Sequence, residues 1–305
     1  MQVVSISSLK GGVGKTSVTL GLASAALAAG IPTLVVDLDP HADATTGLGV
    51  RPSRQSDIGQ LLRNVRRADL AANVASSGWV AAAAARQELP LGRQVLDVAV
   101  GSAYTGIYDR PDLRRRDLGR LAKLLSKVEG YALVLIDCPP SLNGLTRMAW
   151  MASNRVLLVA EPSLFSVAGT ERTMRALDLF REEFAPELAT AGVVANRVRA
   201  GSSEHMYRMA EMRAMFGDLL LEPAIAEQAN WQQIQGAAHA IHQWPGEAAR
   251  QAAGVFDDLL KHFTDSGRRR HRRSPAPAAA GSTAGTGAAP ANTSAAAPLA
   301  EPAAG

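Results

Sequence analysis

A glycine-rich segment close to the first methionine constrains the fold of this chain more than any other feature. The segment reads KGGVGKT from Lys10 to Thr16, follows the apolar run VVSI and precedes a helix-like stretch at residues 17–29. A strand, a glycine-rich turn and a helix N-terminus form an anion site, because freed backbone N–H groups and the helix dipole favour negative charge. The sequence therefore predicts a phosphate-binding loop within an α/β fold.

The loop departs in two places from the common pattern G-x-x-x-x-G-K-[ST]. Leu9 stands where the first glycine belongs, and Lys10 is an additional lysine. The common pattern predicts that Lys15 reaches the β- and γ-phosphates of a nucleotide and that the Thr16 hydroxyl binds Mg²⁺. The match alone indicates nucleotide binding, and the departure carries further information about function.

Composition limits the class of protein and the kinds of site it can hold. The chain has 305 residues, is 47% hydrophobic and contains a single cysteine, Cys138. One cysteine excludes an internal disulfide framework and any four-cysteine metal site built by one subunit, and it fits a reducing cytosol. No apolar run approaches the roughly 20 residues that span a membrane, so we expect a cytoplasmic protein.

The net charge of +4 belongs to the C-terminal tail. After Asp265 the chain carries five arginines against one glutamate, which leaves the first 265 residues balanced. From Ser274 onward it is almost wholly Ala, Pro, Gly, Ser and Thr, a composition that predicts disorder. We therefore expect one domain at residues 1–265 and a basic, then Ala/Pro-rich, disordered tail at residues 266–305.

Short apolar runs indicate a parallel sheet whose strands are covered on both faces. Five lie at residues 3–7, 33–37, 133–137, 156–160 and 192–196, with a sixth at 96–100 and a short seventh at 219–221. Helical patterns separate them. This alternation predicts an α/β fold with a doubly wound, mostly parallel sheet flanked by helices.

Three less regular regions carry further expectations. A helix is predicted to begin near Pro111, with the run at residues 114–116 as its solvated face. Its apolar face comprises Leu118, Leu121, Leu125 and Val128. Residues 51–95 are interpreted as helices and loops at the sheet edge. The apolar stripe at residues 255–263 is interpreted as the last core-packing helix, and the alternative is a membrane-binding amphipathic helix.

Polar residues follow several of the predicted strands at their carboxyl ends, where parallel sheets bind ligands. DLDP occupies residues 37–40, DCPP occupies residues 137–140 and NR occupies residues 196–197. A strand-terminal aspartate after four apolar residues, such as Asp137, is the Walker-B arrangement that holds Mg²⁺. Asp37 and Asn196 also fit plain turn residues, and Cys138 fits an inert strand end.

Taken together, these motifs resemble the ParA/MinD family of deviant-Walker P-loop ATPases, and within it the small ParA-type partition ATPases. The matching segments are KGGVGKT at 10–16, DLDP at 37–40 with AT at 44–45, LIDCPPS at 135–141 and NR at 196–197. The resemblance extends from Met1 to about Phe263. One position departs from it, because these ATPases usually carry glutamine after Asp-Pro and this chain has His41.

The resemblance implies a role for each matching residue. Lys10 would reach across a dimer interface to the partner's nucleotide, Lys15 would hold the phosphates, and Asp39 would orient the attacking water. Magnesium would involve Thr16, Asp37 and Asp137, with Asp37 supporting either the metal shell or Lys10. Asn196 would contact adenine. The implied nucleotide-binding residues are Lys10, Gly11, Gly12, Val13, Gly14, Lys15, Thr16, Ser17, Asp137 and Asn196.

The resemblance also implies an activity and partners. We expect a weak, partner-stimulated ATP hydrolase that uses ATP and Mg²⁺, forms a homodimer with ATP, and positions chromosome, plasmid or other cargo on the nucleoid. A ParB-like protein would stimulate it. The alternatives are a MinD-like membrane-associated ATPase and a nucleotide-gated scaffold with little turnover, for which His41 would be a cue.

Non-specific binding of double-stranded DNA would require a local basic patch, because the body is neutral overall. The candidates on the body are Arg197, Arg199, Arg208 and Arg213, and those in the tail are Arg268, Arg269 and Arg270. The tail could instead serve only to solubilise the protein.

Overall fold

The computed structural model describes residues 1–51, 56–85, 95–228 and 230–264. Within these ranges the strands build one eight-stranded sheet. They are β1 Gln2–Ser7, β2 Thr33–Asp37, β3 Ala75–Ser76, β4 Leu96–Ala99, β5 Leu133–Asp137, β6 Arg155–Ala160, β7 Ala189–Ala195 and β8 Leu220–Leu221. The strand order across the sheet is β3-β4-β2-β5-β1-β6-β7-β8.

Every strand pair is parallel except β3 with β4, which is antiparallel and lies at one edge. Strands β2 and β5 are buried at every position, as expected for strands covered on both faces. The predicted doubly wound, mostly parallel sheet is confirmed, and each predicted strand is present to within a few residues. The edge strand β3 was not predicted, because two residues carry no periodic signal.

The helices flank the sheet on both sides. They are α1 Lys15–Ala28, α2 Asp43–Gly47, α3 Ile58–Arg63, α4 Gly78–Ala85, α5 Arg115–Leu118, α6 Arg120–Leu125, α7 Gly144–Ala152, α8 Leu164–Phe184, α9 Ser203–Phe216, α10 Trp231–Gly236 and α11 Glu247–Thr264. Short 3₁₀ turns lie at Ala71–Asn73, Ala103–Tyr108, Gly217–Leu219 and Ile241–Gln243. Two hydrophobic clusters result, one with α3 and α5 to α9 and the other with α1, α4, α10 and α11.

Helix α11 packs against the core through the apolar stripe that the sequence indicated. Phe256, Leu259, Leu260 and Phe263 are all buried. The Phe256 ring lies directly over Gly21 of α1, so any side chain there would collide with it. The stripe is a core-packing face, as predicted. Among the described residues, none of the helices combines the length and apolar character that crossing a membrane requires.

A partly buried series of polar groups connects α1 to α11. The Ser24 hydroxyl lies 2.7 Å from His242 Nδ1, and His242 Nε2 lies 3.1 Å from Asp257 Oδ1. Burial lowers the pKa of His242, and Asp257 partly opposes this effect. Ser24 is enclosed in a helix–helix seam, so this serine–histidine–aspartate series holds the fold rather than forming a reaction site.

Two sequence expectations need correction or fall outside the described residues. The helix expected near Pro111 begins only at Arg115 and is interrupted at Gly119, where the backbone leaves helical geometry, so it forms α5 and α6. Val128 is buried but follows the helix. Residues 265–305, including Arg268, Arg269 and Arg270, lie outside the described residues, so the domain boundary stays a prediction.

Candidate nucleotide site

The phosphate-binding loop connects β1 to α1 at the carboxyl edge of the sheet. Gly12 and Gly14 have φ angles of +77° and +91°, which L side chains rarely adopt. Gly14 directly precedes α1, and a side chain there would collide with the amide of Asn196. The first N–H groups of α1 have no intrahelical acceptor, so the loop presents the donors that a phosphate requires.

Lys15 and Asp137 form the buried charged centre of the site. Lys15 is only 6% exposed, and burial lowers its pKa, opposed by the nearby Asp137 carboxylate. Burial raises the pKa of Asp137 to about 6, while hydrogen bonds from Thr16 and Thr19 act in the other direction. The ammonium group of Lys15 is therefore a largely desolvated cation, which interacts strongly with phosphate.

The donor set around Thr16 fits Mg²⁺. The Thr16 hydroxyl donates a 2.7 Å hydrogen bond to Asp137 Oδ2, which leaves its oxygen lone pairs free for a cation. Thr19 donates to Asp137 Oδ1 at 2.8 Å and fixes the other side of the carboxylate. The described residues contain no group of three or more His, Cys, Asp or Glu that could enclose a metal. Mg²⁺ is usually held by a few protein oxygens together with water and phosphate oxygens, and Thr16 and Asp137 offer oxygens of that kind.

Asp37 is buried beside this centre and supports the surrounding loops. Its Oδ2 accepts hydrogen bonds from both the backbone N–H and the hydroxyl of Thr45, each at 2.7 Å. Thr45 in turn accepts a 3.0 Å hydrogen bond from the Gly101 backbone. Asp37 Oδ1 is buried without a partner, and burial and the facing Asp137 raise the pKa of Asp37 to about 7. The geometry favours loop support over direct metal ligation, which stays a prediction.

Asp39 lies beyond β2 and contacts the residue that departs from the family pattern. Its Oδ1 accepts a 3.0 Å hydrogen bond from the backbone of His41 and lies 2.8 Å from His41 Nδ1. The His41 side chain is 77% exposed, and the hydrogen bond with Asp39 raises its pKa. The carboxylate expected to orient water is therefore held by an exposed, titratable group.

Lys10 points away from its own phosphate-binding loop. Its Nζ lies 3.2 Å from the Ser163 hydroxyl and 3.5 Å from Glu161 Oε2, in the segment between β6 and α8. The side chain remains 37% exposed. Sequence reasoning missed both partners of Lys10, and the only available signal was an acidic residue directly after the apolar run of β6.

Asn196 and Arg197 follow β7 and close one side of the site. The Asn196 amide, which is 4% exposed, donates a 2.8 Å hydrogen bond to the Val13 carbonyl. Arg197 donates a 2.8 Å hydrogen bond to the Gly12 carbonyl. Both residues line a cavity of about 460 Å³, which the segment from Ile225 to Gln228 continues. The position suits a nucleoside next to the phosphate loop, as expected for Asn196.

Ser17 contributes to the site through its backbone. Its hydroxyl accepts a 2.7 Å hydrogen bond from the Gln235 side chain of α10. The side chain is therefore occupied by structure, and its N–H at the first turn of α1 is the group that suits a phosphate oxygen.

The arginines predicted to bind DNA are largely neutralised by neighbouring groups. Arg208 pairs with Glu204 at 2.7 Å and Glu211 at 2.9 Å. Arg213 pairs with Glu222 at 3.0 Å, and Arg199 lies 3.4 Å from Glu227. Arg197 is directed at the phosphate loop. Their contact with DNA stays a prediction, and the geometry does not favour it.

Comparison with known proteins agrees with this arrangement. A family model described as an AAA domain matches residues 1–190. The chromosome partitioning protein ParA of Caulobacter vibrioides is 32% identical over 229 residues, which cover 74% of this chain and 80% of that protein. The chain belongs to the ParA/MinD family of deviant-Walker P-loop ATPases. The resemblance inferred from the motifs is thereby confirmed, and with it the general capacity of the family to bind and hydrolyse ATP.

Solved structures of other proteins share this fold. A complex of a Cyanothece McdA variant with ATP superposes with a TM-score of 0.71 at 18% identity, covering 87% of this chain and 96% of that chain. The septum site-determining protein MinD of Pyrococcus horikoshii, complexed with Mg-ADP, superposes with a TM-score of 0.67 at 22% identity, covering 88% and 97%. At these identities the likeness shows the fold alone.

Proposed function

We propose that this protein is a ParA-like positioning ATPase that dimerises with ATP, binds DNA non-specifically in that state and is reset by hydrolysis. The observation that carries the proposal is Lys10, a lysine next to the phosphate loop that contacts Glu161 and Ser163 instead of its own loop. A cation placed outside its own nucleotide site is available to a nucleotide held by a second copy. The 32% identical ParA of Caulobacter vibrioides supports the same role.

Exposed apolar side chains beside Lys10 also support a dimer. Leu164 and Phe165, at the start of α8, are 51% and 76% exposed and directly follow Ser163. Large apolar groups exposed at the rim of a charged site are typical of surfaces that a partner covers. Closing a second subunit over this edge would bury them and separate Lys10 from Glu161.

The residues at the edge of the sheet then divide the work of hydrolysis. Lys15 neutralises negative charge on the phosphates of ATP, and the backbone N–H groups of the loop orient these phosphates. Thr16 and Asp137 would hold Mg²⁺, which would supply charge neutralisation when bound. Asp39 accepts a hydrogen bond from the attacking water and orients it. Lys10 of the second subunit would stabilise charge on the transferred phosphoryl group.

Hydrolysis would return the dimer to monomers and release DNA, so the protein acts as a switch as much as an enzyme. We propose that turnover is slow until a ParB-like partner stimulates it, and that the protein resides on the nucleoid in the cytoplasm. The cargo would be a chromosome, a plasmid or another large assembly.

The proposal is tested by DNA binding in different nucleotide states. Fluorescence anisotropy with a labelled duplex would be measured for the full chain with ATP, with ADP and after Lys10→Ala. We expect tight binding with ATP only, and loss of that binding in Lys10→Ala together with loss of the dimer in sedimentation. DNA binding that is indifferent to nucleotide would overturn the switch.

Two alternatives predict different outcomes. A MinD-like role requires an apolar face for lipid, whereas the stripe of α11 is buried against α1. Flotation with anionic liposomes in ATP, without DNA binding, would favour it. A scaffold with little turnover would dimerise with ATP and bind DNA yet release no phosphate even with DNA present.

A further inference from the structure

A cleft lined by basic side chains lies between the end of α3 and the start of α6, outside the candidate nucleotide site. Its volume is about 350 Å³. We call it the basic cleft, and its lining residues are Arg63, Asn64, Val65, Arg66, Arg116, Asp117, Gly119, Arg120 and Lys123. The sequence predicts that the arginine run at residues 114–116 is a solvated helix face, and residues 63–66 lie about 50 positions away from it in the chain.

The charge of the basic cleft is strongly unbalanced. Five of its lining side chains are cationic and one, Asp117, is anionic. Asp117 is already occupied, since Arg120 lies 2.7 Å and Arg116 lies 3.8 Å from its carboxylate oxygens. Within the described part of the chain, Arg63, Arg66 and Lys123 have no carboxylate at ion-pair distance, and all three are exposed.

Two other cations build the cleft and hold its shape. Arg120 donates a 2.7 Å hydrogen bond to the Leu62 carbonyl, and this contact ties the start of α6 to the end of α3. Lys127 donates a 2.9 Å hydrogen bond to the Val65 carbonyl. The walls are therefore braced by Arg120 and Lys127, while Arg63, Arg66 and Lys123 are left to face solvent.

We propose that the basic cleft binds the phosphate backbone of double-stranded DNA. This inference rests on the proposed function and assigns the surface that carries out its DNA-binding step. Cations that no described carboxylate neutralises attract backbone phosphates, and their clustering at one cleft provides the charge that the neutral body otherwise lacks.

The lining also distinguishes DNA from a protein partner. Apart from its charged groups, the described lining of the cleft consists of Asn64, Gly119 and the buried Val65, and none of these residues is an exposed aromatic or aliphatic anchor. Protein interfaces usually depend on such anchors, whereas the DNA backbone is bound through charge alone. The occupant favoured by this surface is therefore a polyanion with regularly spaced phosphates.

The experiment compares two sets of substitutions in the full chain. Binding of a labelled duplex with ATP would be measured between 50 and 200 mM salt for the triple variant Arg63→Gln, Arg66→Gln, Lys123→Gln. Each lost phosphate contact removes roughly 0.9 from the slope of log affinity against log salt. We expect a loss of affinity of at least tenfold at 50 mM and a slope smaller by about 2–3. The matched control, Arg175→Gln, Arg181→Gln, Arg250→Gln, removes three arginines that pair with carboxylates on their own helices, and it is expected to change affinity less than threefold.

Further arms separate the ways in which the test can fail. Thermal unfolding and ATP binding of the triple variant should match the unsubstituted protein, and the charge-preserving variant Arg63→Lys, Arg66→Lys should bind DNA normally. If the triple variant misfolds, Lys123→Gln alone should still lower the slope by about 0.9. If the triple variant binds DNA with unchanged affinity and slope, the assignment of DNA to the basic cleft is wrong, and the proposed function still stands. If the unsubstituted protein does not bind DNA with ATP, the proposed function is wrong.

Binding of polyglutamate is measured as well, as a probe for an acidic protein partner. If the triple variant loses binding of polyglutamate and keeps its binding of DNA, the cleft binds an acidic protein and the DNA assignment is wrong.

Discussion

The nucleotide site and the basic cleft use positive charge in opposite ways. At the nucleotide site Lys15 is 6% exposed and lies beside the buried carboxylate of Asp137. In the basic cleft Arg63, Arg66 and Lys123 are exposed, and none of the three has a carboxylate at ion-pair distance among the described residues. The nucleotide site holds a few buried charges that interact strongly with one another. The basic cleft holds several exposed charges whose interactions water and salt weaken.

The difference predicts which solution variable controls each region. Buried charges are poorly screened and respond to protonation, so the nucleotide site should be sensitive to pH. Exposed charges are screened within about 10 Å at 0.1 M ionic strength, so the basic cleft should be sensitive to salt. Substitutions in the basic cleft should leave the pH dependence of the nucleotide site unchanged. Substitutions in the nucleotide site should leave the salt dependence of the basic cleft unchanged.

The largest effect is expected for Lys15→Ala. Removing a buried cation that pairs with phosphate costs roughly 2–5 kcal/mol, so ATP affinity should fall about 30-fold or more. Titration with a fluorescent ATP analogue measures this effect. The basic-cleft triple variant, measured in the same way, should bind ATP within twofold of the unsubstituted protein.

Asp39→Ala provides the control within the nucleotide site. It should retain ATP affinity and slow hydrolysis at least roughly tenfold, because a group that orients water acts only in the reaction. If Lys15→Ala binds ATP normally, the buried centre is not the phosphate site and the contrast between the two regions disappears.

A smaller effect is expected for Asp37→Asn on stability without nucleotide. The pKa of Asp37 is raised from 3.8 to about 7, so the folded state retains a proton that the unfolded state loses. The resulting stability is fully present below pH 4 and is lost as pH rises toward 7. Asparagine cannot ionise and can still accept the hydrogen bonds of Thr45. Between pH 5 and 8, we expect the free energy of unfolding of the unsubstituted protein to fall by on the order of 2 kcal/mol more than that of Asp37→Asn.

Urea unfolding across this pH range measures that difference. The basic-cleft triple variant is the matched control, because its exposed groups should leave the pH dependence as it is. Equal pH slopes in Asp37→Asn and the unsubstituted protein would show that the buried carboxylates carry no such penalty.

The smallest effect is expected for His41→Gln, which restores the residue usual in related ATPases. The pKa of His41 is raised by Asp39, so the protonated imidazole holds that carboxylate at lower pH and releases it as pH rises. ATP turnover of the unsubstituted protein should therefore increase a few-fold as pH rises through this pKa. His41→Gln should flatten the profile, measured by phosphate release from pH 6 to 8.5.

The two proteins should have similar turnover at pH 8.5, where His41 is neutral. An identical pH profile in His41→Gln would remove His41 from any role in positioning Asp39. A profile that differs equally at all pH values would indicate a local structural effect instead of titration.

Much of the nucleotide site could be predicted from the sequence because the residues that form it are adjacent in the chain. A strand, glycines with positive φ and a helix start must follow one another to present backbone N–H groups to a phosphate. Gly12, Gly14 and Lys15 therefore identify the site from a short segment. The strands could be predicted for a similar reason, since burial on both faces requires unbroken apolar runs. The helix near Pro111 begins later than predicted, at Arg115. Gly119 divides it into two helices, although its apolar pattern continues through that position.

The sequence alone thus determined the fold class, the phosphate loop and the family. Only the tertiary structure decided which charges are free, because an arginine's partner is set by distance in space and not by position in the chain. Arg208 and Arg213 have nearby glutamates that neutralise them, whereas Arg63 of α3 and Lys123 of α6 line one cleft and have no such partner within the described residues. The same physics directs Lys10 to Glu161 and Ser163, about 150 residues away.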